Sequence, residues 1–161
     1  MTIINTRPKT TTTNQDAFKW NEQDVKTAIL KQITDFYLNL KEALAEDDEA
    51  QALKIASDIK DYLASERFLN KSAKEEFQEI ITKMASSKSI EIARIHFQDL
   101  SNALIVLMEK ENPLEETLYV QFCPMADNDR GAFWLSTEEE IKNPYFGSMM
   151  LKCGNVDREI K

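Results

Sequence analysis

Apolar residues recur at three- and four-residue steps in four stretches between residues 21 and 110, and this spacing predicts four amphipathic helices. We expect helices at about residues 21–45, 48–64, from 72 onward, and 89–110. In the fourth stretch, the apolar positions have the spacing of a packed bundle seam: Ile90, Ala93, Phe97, Leu100, Leu104 and Leu107. Because the connections are short and polar, an antiparallel four-helix bundle is the simplest fold, with these stripes as its core.

Glycine and proline divide the chain into two parts. Neither residue occurs between Pro8 and Pro113, so that stretch can be helical throughout. All three glycines and both cysteines lie in the last 40 residues. We therefore predict one domain over residues 16–161, with a helical bundle (16–112) and a turn-rich, Cys- and Met-bearing segment (113–161). Residues 1–15 are Thr-rich without an apolar period, which predicts a disordered tail.

The C-terminal segment is predicted to form a small hairpin and a short helix packed on the bundle. Residues 118–122 are β-branched and aromatic, which favours a strand. Ser136 followed by Glu139 resembles a capping box, so we expect one or two helical turns over residues 137–142. The pair Gly154-Asn155 suits a hairpin turn into a strand at 156–160.

Composition and charge restrict the functions open to the chain. It has 28 acidic and 20 basic residues, a formal net charge of −8, and no Lys/Arg stripe, which argues against nucleic acid or an anionic membrane as partner. The longest apolar run, residues 103–108, is far shorter than the roughly 20 residues of a transmembrane helix. One His and two Cys exclude most catalytic constellations, and no nucleophile–base pair or phosphate-binding Gly loop is present. No enzyme is predicted.

Two thiol–thioether pairs stand out in the C-terminal segment: Cys123 with Met125, and Met149/Met150 with Cys153. Soft sulfur ligands select Cu(I) or Ag(I), whereas Ca²⁺ and Mg²⁺ prefer oxygen. Zinc is disfavoured because no His lies in this segment. Two thiolates and one or two thioethers from two turns would suit a closed Cu(I) site.

The same cysteines also have structural interpretations. Cys123 and Cys153 could form a disulfide, which would close a loop of about 30 residues and contribute about 3 to 4 kcal/mol. Alternatively, they could be buried thiols, with the methionines filling gaps in a small secondary core. The spacing alone leaves these alternatives open.

The choice between Met149 and Met150 as ligand is open, and so is the role of His96. If residues 149–153 form a strand, Met149 and Cys153 share a face; if they form a turn, Met150 and Cys153 can converge. His96, at the border of the fourth apolar stripe, could reach a site held against that helix. A lone His there is more often a surface or satisfied residue.

Five sequence blocks carry a family resemblance: YVQFCPMA at 119–126, DNDRG at 127–131, WLS at 134–136, EIKNPYFG at 140–147 and MLKCG at 150–154. In this order they resemble a bacterial domain of formerly unknown function that is common in Bacteroidetes. That domain occurs as a stand-alone periplasmic protein and at the C-terminus of adaptor (membrane fusion) subunits of copper/silver efflux pumps. The helical part is similar more loosely, at residues 36–44 and 94–101.

The resemblance implies a helical bundle bearing a soft-metal site, with Cys123, Met125, Met150 and Cys153 at the family's sulfur positions. It favours Met150 over Met149 and provides no counterpart for His96. It also implies a periplasmic location, although the chain as given shows no export signal. The chain lacks the barrel and hairpin domains of the adaptor subunits.

We therefore expect a Cu(I)- or Ag(I)-binding protein that acts in heavy-metal resistance, by sequestration or by hand-over to an efflux adaptor. The alternative is a non-metal interaction module held together by a Cys123–Cys153 disulfide. An enzyme such as a metal reductase would need a second redox group, which the sequence does not offer.

Overall fold

A computed structural model describes residues 27–65, 71–110, 112 and 114–161, with side chains from residue 74 onward in the third helix. The predicted tail at 1–15 and the predicted start of the first helix, residues 21–26, lie outside the described residues. Four long helices are present, and the chain is mainly helical, as the apolar spacing predicts. They are α1 (Thr27–Ala45), α2 (Glu49–Ser65), α3 (Lys71–Ala85) and α4 (Ile90–Lys110).

The helices form a bundle in which each packs on the next along the chain. Helices α1 and α4 run in opposite directions, because Thr34 contacts Met108 near one end while the carbonyl of Leu44 accepts a hydrogen bond from Arg94 near the other. The predicted apolar seam of α4 is buried along its whole length. None of the described helices combines the length and apolar character needed to cross a membrane.

Three strands follow α4: β1 (Leu118–Cys123), β2 (Ala132–Ser136) and β3 (Asn155–Ile160). They form an antiparallel sheet in the order β2-β1-β3. A left-handed turn over Ala126–Asp129, with positive φ at Asp127, Asn128 and Asp129, connects β1 to β2, and a 3₁₀ helix (Gly147–Met150) precedes β3. The strand predicted at 118–122 is confirmed, and so is the strand at 156–160.

The prediction of a hairpin plus a short helix is wrong. Residues 137–140 form bends and residues 141–142 are irregular, because the buried side chain of Gln121 donates hydrogen bonds to the carbonyls of Glu138 and Glu139 that a helix would use internally. Ser136 accepts a hydrogen bond from the N–H of Glu138 and thus forms a local turn. Strand β3 pairs with β1, so Gly154 joins β3 to a turn and not to a hairpin partner.

Strand β2 lies at one edge of the sheet, and two tyrosine hydroxyls form hydrogen bonds with its backbone. The N–H of Leu135 donates to the hydroxyl of Tyr37 on α1 at 3.0 Å, and that hydroxyl also bonds Ser101 on α4 at 2.7 Å. The hydroxyl of Tyr145 donates to the carbonyl of Phe133. Burial raises the pKa of both phenols above the ordinary value, so both hydroxyls stay protonated. These bonds satisfy edge groups that would otherwise be unpaired.

Candidate metal centre

The structure brings the two cysteines together at the end of the sheet. Cys123 is the last residue of β1, and Cys153 lies in the turn before β3; their Sγ atoms are 3.0 Å apart and form a thiol–thiol hydrogen bond. Both cysteines are free thiols; Cys123 is fully buried and Cys153 is half-buried. We call these two side chains the thiol pair.

The close approach of the cysteines depends on Gly154. This residue has a φ of +135°, which L side chains rarely adopt, and a Cβ there would lie 2.8 Å from the carbonyl oxygen of Phe122 on β1. The turn is fixed from its other side, because the N–H of Cys153 donates to the carbonyl of Met150 and the amide of Asn143 donates to the carbonyl of Cys153. Glycine is required because the backbones approach closely at this point.

Cys123 influences the protonation of Cys153. The hydrogen bond with Cys123, and then burial, raises the pKa of the Cys153 thiol to about 11. A charge on Cys123 acts in the same direction, because two thiolates this close repel each other. The pair therefore holds at least one proton at neutral pH.

Helix α4 anchors the two turns that carry the sulfur residues. Gln98 donates to the carboxylate of Asp127, in the turn after Met125, at 3.2 Å. One helical turn earlier, Arg94 donates to the carbonyl of Pro144, in the segment before the 3₁₀ helix, at 2.8 Å. Residues four apart lie on one helix face, so the two turns are held side by side.

Arg94 also joins the second turn to the connection between α1 and α2. Its guanidinium donates to the carbonyl of Leu44 and to the carboxylate of Asp47, at 2.6 and 2.9 Å. The other oxygen of Asp47 accepts a hydrogen bond from the N–H of Ser148 in the 3₁₀ helix. The hydrogen bonds from Ser148, and then that from Arg94, lower the pKa of Asp47 from 3.8 to about 2.

We expect acid to weaken this connection. Because the folded pKa of Asp47 lies below its unfolded value, its contribution to stability is complete above about pH 4 and is lost as the pH falls towards about 2. The carboxylate is partly exposed, so we expect about 1 kcal/mol after screening. Urea unfolding of the wild type and Asp47→Asn, at steps between about pH 6 and pH 2, measures this. The difference in unfolding free energy should shrink only at the acid end; parallel curves would contradict the assignment.

The methionines lie in a groove of about 820 Å³ between α4 and the two anchored turns. Its lining includes the side chains of Met125, Met149 and Met150, together with Ile95 and Phe146. We call this feature the thioether groove. Met149 is 79 % exposed and Met125 47 % exposed, while Met150 is half-buried. The groove and the thiol pair are thus formed by the same two turns.

The predicted ligand residues therefore fall into two groups. Cys123 and Cys153 meet, whereas Met125 and Met150 belong to the lining of the groove. Residues 149–153 form a 3₁₀ helix and a turn, which is the geometry that brings Met150 and Cys153 into hydrogen-bonded turn contact. His96 is half-buried on α4 and is not among the residues that line the groove.

Sequence reasoning missed the residues that position these turns: Arg94, Gln98 and Asn143. Arg94 and Gln98 act through contacts distant in sequence, which no local pattern reveals. Asn143 is fully buried, and its side-chain oxygen accepts the N–H groups of Tyr145 and Phe146. An Asn before Pro is typical of such a turn, and this signal could have identified it.

The described part of the chain contains no group of three or more His, Cys, Asp or Glu side chains arranged to hold a metal ion. Among the described residues, Cys123 and Cys153 form the thiol pair, and Met125, Met149 and Met150 line the groove formed by the same two turns.

Together, these features define a helical-bundle protein with a small antiparallel sheet. At the end of this sheet, a thiol from β1 lies beside a thiol from the turn before β3. The sequence model of the family described as "Protein of unknown function (DUF3347)" matches residues 33–116, just over half of the chain, and the chain belongs to that family. The match spans most of the bundle and ends before β1, so both cysteines and the three methionines of the groove lie outside it. No curated protein and no solved structure matches the chain.

Proposed function

We propose that this protein binds Cu(I), or the chemically similar Ag(I), through the thiolates of Cys123 and Cys153. The observation that carries the proposal is the 3.0 Å separation of two free thiols that are 30 residues apart in sequence. Thiolates and thioethers are the ligands that soft monovalent ions prefer. Met125 and Met150 lie on the turns that bear these cysteines and are the candidate thioether ligands.

The thiol pair fits a metal ion with a small adjustment. At the roughly 2.3 Å typical of a metal–thiolate bond, an ion held between two sulfurs sets them about 4 Å apart. The Sγ atoms would thus separate by about 1 Å, and both thiols would release their protons to solvent as the two thiolates bind the ion. Cys153 lies in a half-buried turn, whereas Cys123 is fixed at the end of a strand, so the movement falls on Cys153.

The environment of the pair suits a carrier of a soft ion. Cys123 is buried beside apolar side chains, which limits access of water and oxidants to its sulfur, and Cys153 is reachable from solvent. One buried and one accessible ligand permit ligand exchange with a partner. Sequestration or hand-over to an efflux adaptor in the periplasm is the role that the resemblance of residues 119–154 supports.

A competitive titration tests the proposal. The reduced full chain, with Cu(I) supplied as its complex with a chromogenic chelator, is compared with Cys123→Ser and Cys153→Ser. We expect the wild type to withdraw one equivalent of Cu(I), and either substitution to weaken binding at least a hundredfold, because one thiolate is lost. Far-UV circular dichroism of each variant checks that the bundle is intact.

The matched control removes a thioether from the core. Met84 is fully buried in the bundle, and Met84→Leu keeps its approximate volume, so this variant should bind like the wild type. A wild type that leaves all Cu(I) with the chelator while both thiols titrate as free would overturn the metal proposal.

The same separation of the thiols favours a second function. Oxidation by a small disulfide such as oxidised glutathione would join Cys123 to Cys153 and release two equivalents of the reduced thiol. The bond would hold the end of β1 to the turn before β3 and rigidify a surface for protein interaction. Stability that falls on reduction, with no uptake of Cu(I), would favour this interaction module over the metal carrier.

A further inference from the structure

We infer that Met125, Met149 and Met150 form a separate thioether site for a soft monovalent cation, at which the ion first binds before it reaches the thiol pair. The role as an entry site rests on the proposed function. Binding of the ion to the thioethers does not, because the groove is lined by the methionines and not by the cysteines.

The first argument is the position of the methionines. Met125 follows β1, and Met149 and Met150 belong to the 3₁₀ helix, so the three come from two turns separated in sequence. The turns meet because Gln98 and Arg94, on one face of α4, bond to one turn each. The thioethers are thus held at one groove by an anchored framework.

The second argument is the exposure of these side chains. The large hydrophobic side chains that are exposed in the described part of the chain are Ile92, Ile95, Met125 and Met149, and all but Ile92 line this groove. Placing methionines in water forgoes the free energy that their burial would provide. An unbranched, polarizable thioether is the apolar side chain that can also bind a soft ion.

The third argument is a gradient of accessibility towards the thiols. Exposure falls from Met149 at 79 % to Met125 at 47 %, then to the half-buried Met150 and Cys153, and reaches zero at Cys123. Met150 and Cys153 are joined by the hydrogen bond between their backbones. The sulfur side chains on the two turns thus become less accessible from the outer methionines to Cys123.

The charge around the groove admits a cation. Its lining contains three acidic and two basic side chains, and both basic ones, Arg94 and Arg130, are paired with Asp47 and Asp127. The chain as a whole carries a net charge of −8. Approach of a monovalent cation is thus favoured over that of an anion.

The test removes the thiols and observes the methionines directly. In the full chain carrying Cys123→Ser and Cys153→Ser, Ag⁺ is added as the nitrate in chloride-free buffer, and the ε-methyl signals of methionine are followed by ¹H–¹³C NMR. We expect the signals of Met125, Met149 and Met150 to shift and saturate. The buried Met84 and Met108 are internal controls whose signals should stay in place. Unchanged groove signals in excess Ag⁺ would overturn the inference.

The entry role is tested with the thiols present. We expect Met125→Leu combined with Met149→Leu and Met150→Leu to slow Cu(I) uptake from a chelator complex about tenfold in stopped-flow, while equilibrium affinity falls less. Ile95→Ala alters the same groove but keeps every sulfur, and should leave the rate unchanged. An unchanged rate in the triple variant, or equal slowing by Ile95→Ala, would overturn the entry role.

The two proposals fail in different ways. If the thiol-free variant binds Ag⁺ but the wild type has no higher affinity than that variant, the thiol function fails and the thioether site stands. If the wild type binds Cu(I) tightly but the groove signals do not respond, the thioether site alone fails.

Discussion

Replacing Trp134 by alanine should remove about 3 to 5 kcal/mol from the free energy of unfolding. Trp134 is fully buried in β2, and its ring packs edge-on against Tyr145 with centroids 5.9 Å apart. Its Cη2 atom would lie 3.1 Å from a Cβ at Gly154, so the indole also supports the turn that carries Cys153. Small domains have only about 5 to 15 kcal/mol of stability in total, so this loss would leave the protein close to unfolding.

Urea unfolding followed by far-UV circular dichroism measures this loss through the helices, because fluorescence would change with the substitution itself. Trp134→Phe is the matched control. It keeps most of the apolar contact and removes an indole N–H for which the described residues provide no acceptor, so we expect a loss of only about 1 to 2 kcal/mol. If Trp134→Ala unfolds within about 1 kcal/mol of the wild type, the indole does not support the sheet as described.

Gly154→Ala should separate the thiol pair. The substitution places a side chain at a φ of +135°, at a cost of about 1 to 3 kcal/mol. It also forces the new Cβ against a backbone carbonyl, which cannot move aside as a flexible side chain would. We expect the turn to shift away from β1, and the equilibrium constant for forming a Cys123–Cys153 disulfide to fall at least tenfold.

Equilibration with reduced and oxidised glutathione, followed by alkylation and mass spectrometry, measures that constant without any metal. Asn155→Ala is the control, since this exposed neighbour can lose its side chain without changing the path of the backbone. Disulfide formation in Gly154→Ala that equals that of the wild type would show that the close approach of the cysteines does not depend on this glycine.

The helices were predictable from the sequence, and so were two strands of the C-terminal segment, whereas β2 and the bends after it were not. The seam of α4 follows directly from the spacing of Ile90, Ala93 and Phe97, because an amphipathic helix must bury its apolar face. Ser136 and Glu139 indicated a helix by the same kind of local rule. The buried amide of Gln121 overrides that rule by binding the carbonyls of residues 138 and 139.

The sequence indicated the sulfur residues as candidates, but not that the cysteines would meet while the methionines line a groove. The sulfur residues were identified from their type and spacing, and the turn at 149–153 was one of two alternatives. That the thiols meet while the methionines line a groove depends on Arg94 and Gln98, which lie on α4, distant in sequence from the turns they bind. Such contacts leave no periodic signal in a single chain.

The hydrogen bonds between the two tyrosine hydroxyls and the backbone of β2 limit how copies of this protein can associate through their sheets. Tyr37 and Tyr145 bond the N–H of Leu135 and the carbonyl of Phe133 on the outward side of β2, so strand β3 is the more accessible edge of the described sheet for another strand. An object with one open edge can join a second copy edge to edge, but then neither copy has an edge left for a third. Edge-to-edge strand addition through β3 would therefore end at a pair of molecules.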